Sequence, residues 1–123
     1  MRIRLKWEQG ELTGTLNDSP TAKKLAQVMP CENAANTWGE EVYFEVLLDT
    51  EVEPDARQVV DPGAICYWVQ GNAVALPYGP TPISEGNECR LVAEVNVIGQ
   101  FDGDPRQLST IQPGAAVRLE AAE

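Results

Sequence analysis

Asp61-Pro62-Gly63-Ala64-Ile65-Cys66-Tyr67-Trp68-Val69-Gln70-Gly71-Asn72 is the stretch that decides the fold class of this chain. Two turn signals, Asp61-Pro62-Gly63 and Gln70-Gly71-Asn72, bracket the run Ala64 to Val69. A short apolar run bounded in this way reads as a strand. It is apolar on both parities, which predicts a strand covered on both faces, or one that lines a pocket on one of them. Ala73 to Tyr78 follows as a further strand and runs into the unusual sequence Gly79-Pro80-Thr81-Pro82.

Working outward, the pattern stays β on both sides. Upstream, Val42, Phe44 and Val46 alternate with Glu41, Tyr43 and Glu45, so the apolar set is expected to face inward. Asp49 to Asp55, acidic at every second position and broken by Pro54, reads as a solvated loop. At the N-terminus Ile3, Leu5 and Trp7 share one face and Arg2, Arg4, Lys6 and Glu8 the other; with Leu12, Gly14 and Leu16 beyond Gln9-Gly10 they predict an antiparallel hairpin. One helix is expected, over residues 20–29. Ser19 or Asp18 caps it, Pro20 takes its first position, Ala22, Leu25, Ala26 and Met29 form its stripe, and Pro30 ends it. Downstream, Val92 to Phe101 is a long strand, Asp102-Gly103-Asp104-Pro105 a turn, and Val117 with Leu119 a closing strand. About eight short strands, one short helix and frequent turns predict a mainly β fold, a closed barrel filling residues 1–123 as a single domain.

Composition narrows the chemistry. Nineteen acidic against nine basic residues give a formal net charge of −10, which disfavours nucleic acid and anionic membrane surfaces as partners. The alternating N-terminus is a strand rather than a signal peptide, and no apolar run reaches the roughly 18 residues a membrane helix needs. The three cysteines, Cys31, Cys66 and Cys89, form no Cys-x-x-Cys pair. Free thiols in a reducing cytoplasm are expected. The chain contains no histidine, which removes Ser-His-Asp and Cys-His catalysis, His-based zinc sites and His-ligated haem. No metal or other cofactor is expected. Acid–base work, if any, falls to carboxylates, Tyr, Lys or Cys with shifted pKa values.

Several blocks taken together carry a family resemblance: Gly63 to Ala73, Tyr78 to Pro82, Trp38-Gly39-Glu40-Glu41-Val42-Tyr43-Phe44, and Val95-Asn96-Val97-Ile98-Gly99. Over about residues 2–120 the chain resembles a small prokaryotic family of single-domain proteins with a cyclophilin-like barrel. The resemblance implies a fold more than a reaction. True cyclophilins are peptidyl-prolyl isomerases that use an Arg, a Gln and a hydrophobic floor, and their Phe-His-Arg and Gln-Gly-Gly-Asp signatures are absent here.

Three functional readings remain at this level: a barrel that binds a small molecule or peptide without catalysis, an isomerase with altered residues, and an interaction subunit of a larger amide-metabolising assembly. A homodimer or another protein partner is compatible with each. Tyr67, Trp68 and Tyr78 are the candidate aromatic walls of a cleft, although plain core packing also accounts for them. Tyr67 and Trp68 point to opposite faces, so at most one of them lines a given cavity. Asn72 is a candidate contact, or simply a residue that tolerates left-handed backbone in a turn. Thr81 offers a hydroxyl in the Pro-rich segment, and Glu41, beside Glu40, a carboxylate. Arg57, nearest in sequence to the aromatic strand, is the candidate catalytic residue of the isomerase reading, set against a plain surface cation answering Asp55 or Asp61.

Overall fold

The computed structural model describes residues 1–122. The alternating N-terminal pattern forms β1 (Arg2–Trp7) and β2 (Gly10–Leu16), which pair Leu5 opposite Leu12. Their buried residues, Ile3, Leu5, Trp7, Leu12 and Leu16, are the apolar parity of the sequence. α1 (Pro20–Val28) follows, with the Ser19 hydroxyl accepting from the Ala22 N–H and Pro20 at the first position. Thr21, Ala22 and Leu25 bury its inner side. The chain then forms β3 (Cys31–Ala34), β4 (Asn36–Thr37), β5 (Glu41–Glu45), β6 (Arg57–Val60), β7 (Ala64–Trp68), β8 (Ala73–Pro77), β9 (Cys89–Phe101) and β10 (Ala116–Ala121). Among the described residues no helix is long and apolar enough to cross a membrane.

The ten strands form one sheet in the order β3-β10-β1-β2-β9-β7-β8-β5-β4, with β6 pairing to β9 off this path. The expected closed barrel is therefore met only in part: the fold is mainly β, but among the described residues no ladder joins the two ends of the path. These two ends, β3 and β4, are separated along the chain by Ala35 alone. The Asn33 amide of β3 donates to the Glu45 carbonyl at the end of β5 over 3.1 Å.

Three elements lie outside the sequence expectation. β3 is mostly exposed, β4 is a short bridge and β6 mixes polar with apolar residues, so none shows a clean period of two. The chain bends at Asp102-Gly103 as expected, and beyond it Pro105–Thr110 forms a 3-10 helix that the sequence did not suggest, whose start is capped by the Asp104 carboxylate accepting from the Arg106 N–H. The acidic stretch Asp49 to Asp55 is a loop, but a pinned one. Asn96, 1% exposed on β9, accepts from the Glu53 N–H over 2.8 Å and donates to the Glu51 carbonyl over 2.9 Å and to Thr21 over 3.0 Å. Glu53 in turn accepts from the N–H and hydroxyl of Thr21, placing a carboxylate at the positive end of α1.

The sheet region β5-β8-β7-β9 positions the candidate site because it is covered on both faces, as the double apolar parity of β7 predicts. On one face Phe44, Val74, Tyr67 and Asn96 lie side by side across the four strands and join the main core with Ile3, Leu5, Leu25 and Leu119. On the other face Tyr43, Ala75, Cys66 and Val97 form the matching row. That side holds a second, smaller cluster with Val60, Ala64, Cys89, Leu91 and Val95.

Candidate functional site

The second face carries a cleft. β5 and β7 both flank β8, which sets them about 9–10 Å apart across two ladder spacings. The intervening residues are small: Ala75 stands opposite both Tyr43 and Cys66, and Ala73 stands opposite both Glu45 and Trp68. With only methyl groups between them, the larger side chains of β5 and β7 lean toward each other. Tyr43 and Trp68 meet edge to face, with ring centroids 6.3 Å apart and planes at 84°. Gly71, in the turn after β7, lies flat against the Trp68 indole, where any side chain would collide with the ring.

Two further groups complete the lining. Gly39, at φ +59°, turns the chain between β4 and β5, and the Trp38 N–H donates to the Glu41 carbonyl over 3.0 Å. That turn sets Trp38 beside Glu41 at the start of β5. A Cβ on Gly39 would meet Thr81 and Pro82, so the turn is packed directly onto the Pro80-Thr81-Pro82 run. From β9, Val92 closes the far side and is 53% exposed, leaving the cleft open there. Trp38, Glu41, Tyr43, Trp68 and Val92 thus surround a cavity of about 220 Å³.

The electrostatics of this cleft are unusual for their lack of partners. Glu41 is 7% exposed, and among the described residues nothing donates to its carboxyl. Desolvation alone pushes its pKa up to about 7. The Trp68 indole N–H is also buried and also donates to nothing among the described residues. Neighbouring Glu40, by contrast, is turned outward and pairs with Arg106 at 3.2 Å. Cys66 and Cys89, buried close by, are held as thiols: burial pushes both pKa values up, and the Glu41 charge adds to the effect.

Of the seven residues singled out by sequence, the structure brings two together, Glu41 and Trp68. Tyr67 faces the main core, fully buried, with its hydroxyl donating to the Val46 carbonyl over 2.7 Å and accepting from the Leu48 N–H over 3.1 Å. Burial pushes its pKa up. Tyr78 also packs in the main core. Asn72 occupies the turn between β7 and β8 at φ +50°, the left-handed backbone that the Gly-Asn sequence suggested. Thr81 is buried, with its hydroxyl engaged by the Arg90 carbonyl and Ser84, so it ties the Pro-rich loop to β9 instead of facing the cleft. Arg57 is exposed at the start of β6, opposite Val95 and outside the cleft lining.

The lining residues not singled out were Trp38, Tyr43 and Val92. Tyr43 was legible in principle, since it shares the parity of Glu41, but alternation in a one-sided strand sends that parity to solvent. Nothing local to Val92 announces the cleft, because it reaches it through the pairing of distant strands; Trp38 reaches it through the local Gly39 turn.

The model of the family described as cyclophilin-like matches residues 1–120. The solution structure of a hypothetical protein from Archaeoglobus fulgidus is similar over 99% of this chain and 95% of its own, with 33% sequence identity and a TM-score of 0.82. No curated protein matches the chain.

Proposed function

The chain belongs to the cyclophilin-like family, and on that premise we propose that it is a binding domain that takes a small molecule or peptide group into the cleft of Trp38, Glu41, Tyr43, Trp68 and Val92, without catalysis of its own. The observation that carries this reading is the Glu41 carboxyl, 7% exposed and without a hydrogen-bond partner among the described residues, set in an apolar cleft. Burying a polar group without a partner is unfavourable by a few kcal/mol, roughly 1–3 by mutational measures. A fold keeps such a group most simply when a bound molecule supplies the partner. Aromatic walls with a few convergent polar groups are the ordinary composition of a ligand site, and the cavity is smaller than the roughly 300–1,000 Å³ of drug-sized sites, which favours a small occupant.

The isomerase reading needs a donor toward the prolyl nitrogen beside an apolar pocket. The cleft supplies the apolar part but no guanidinium, and Arg57 stands outside its lining. Nothing in the geometry favours the interaction-subunit reading over a binding domain. A screen of small compounds by thermal shift tests the proposal. A ligand of the cleft gives a saturable rise in melting temperature that Gly71→Ala, which drives a methyl group into the Trp68 ring, abolishes. Hits that bind the Gly71→Ala protein equally well would place binding elsewhere and remove the proposal.

A further inference from the structure

Resting on the binding reading above, we propose that the cleft is a cage for a small organic cation: an ammonium group carrying apolar substituents, held against the rings of Trp38, Tyr43 and Trp68 with the Glu41 carboxylate as its counter-ion. The rings are the first argument. Three of the five lining side chains are aromatic, and Tyr43 and Trp68 stand at 84° to one another, so the walls meet as a corner instead of a stack. Ring faces attract cations through their quadrupole, and rings at an angle surround a rounded alkylammonium head from more than one side.

The carboxyl is the second argument. Glu41 is buried in the same cleft, and among the described residues no Lys or Arg pairs with it. Of the basic side chains on the surrounding elements, Arg106 pairs with Glu40 at 3.2 Å and Arg90 with Glu88 at 2.6 Å, and Arg57 is exposed on β6 outside the cleft lining. An anion would be repelled by Glu41. A hard metal ion would need several oxygen ligands, and no group of three or more candidate ligands exists among the described residues. A soft, weakly hydrated cation satisfies both the carboxylate and the rings. The cavity of about 220 Å³ limits the occupant to a small head group, and the net charge of −10 enriches cations around the protein.

The cage must also respond to pH. Binding a cation requires ionised Glu41, and desolvation holds that group at about 7 in the empty cleft. The cation therefore expels the proton, and affinity rises about tenfold from pH 6 to pH 8 before levelling off. Other titratable or charged groups on the surrounding elements are Cys66 on β7, Cys89, Arg90 and Glu94 on β9, Arg57 on β6, Tyr43 and Glu45 on β5, Glu40 just before it, Asp61 ahead of β7 and Glu88 ahead of β9. Both buried thiols stay protonated across that window because burial raises their pKa values.

Calorimetric titration of the full chain with choline and with 3,3-dimethyl-1-butanol, its neutral counterpart of the same shape, tests the assignment. The expected result is saturable choline binding that tightens about tenfold from pH 6 to pH 8, with the alcohol at least tenfold weaker at pH 8 and insensitive to pH. Glu41→Gln should weaken choline at pH 8 about tenfold and flatten its pH profile. Trp38→Leu, which leaves the carboxyl in place, should weaken choline more than the alcohol. Equal binding of the two probes, or choline binding that Glu41→Gln leaves unchanged, overturns the cation assignment while leaving a cleft that binds neutral molecules. Absence of choline binding at either pH also overturns it, and the separate screen of uncharged compounds then decides whether the cleft binds anything.

Discussion

The two faces of the β5-β8-β7-β9 region are built from the same strands but treat their polar atoms in opposite ways. On the main-core face, Tyr67 is fully buried and its hydroxyl both donates and accepts, while the Asn96 amide makes three hydrogen bonds. On the cleft face, the largely buried Glu41 carboxyl and the Trp68 N–H, the latter fully withdrawn from water, have no partner among the described residues. The first pattern is what stability selects, since a satisfied buried group contributes modestly and an unsatisfied one costs more. The second lowers stability and is most simply retained for something that binds there. Neighbouring residues of one strand, Tyr67 and Trp68, thus mark the boundary between a face whose polar groups are paired and a face that leaves polar groups unpaired.

The largest expected break in this contrast comes from Glu41→Gln. Glu41 ionises at about 7 in the fold against an ordinary value of 4.5. Because the folded protein holds the proton more tightly, stability from this group is fully present below pH 4.5 and is lost as pH rises through 7. A shift of that size corresponds to about 3 kcal/mol at pH 8 and above. Relative to the wild type, the variant should therefore melt several degrees higher at pH 8 and gain little at pH 5. Melting temperatures of the two proteins from pH 5 to pH 9 check this. Parallel curves would mean that the carboxyl is solvated, and the difference between the faces would disappear.

Tyr67→Phe sharpens the contrast from the other side. Removing the hydroxyl leaves the part-buried Leu48 N–H and the buried Val46 carbonyl without it, for a loss of about 2 kcal/mol in urea unfolding. The loss should be the same with or without a ligand in the cleft. A loss well under half of that would show that the end of β5 relaxes to water easily and that the main-core face is less rigid than its hydrogen bonds imply.

How much of this could be read in the sequence depends on range. The N-terminal hairpin, the Ser19 cap, the helix and the doubly covered β7 are properties of a few consecutive residues, and all four were legible. β3, β4 and β6 were not, because edge and bridging strands owe their conformation to a neighbour rather than to an alternating pattern. The open seam was not legible either, since nothing in the local pattern marks the break at Ala35 between β3 and β4. At the site, Trp68 and Glu41 could be named from residue type, but their company could not. Tyr43 reaches Trp68 only because β8 lies between their strands and presents alanines there.

Trp68→Phe is the smallest expected effect and the most direct test, since like Tyr67→Phe it removes a polar hydrogen from an aromatic side chain, one residue along the strand. Substitution removes a buried donor that has no partner, which favours the folded state, and deletes ring atoms packed against Gly71 and Tyr43, which opposes it. These terms are of similar size and opposite sign, so the net change should lie within about 1 kcal/mol. A benzene ring keeps one aromatic wall, so cleft binding should weaken less than when Trp68 is replaced by Leu. Urea unfolding of Tyr67→Phe and Trp68→Phe side by side gives the comparison. If both cost the same, removing the Trp68 N–H brings no gain that offsets the lost ring packing and the contrast between the faces fails; if only Tyr67→Phe is costly, the boundary between them runs between these two residues.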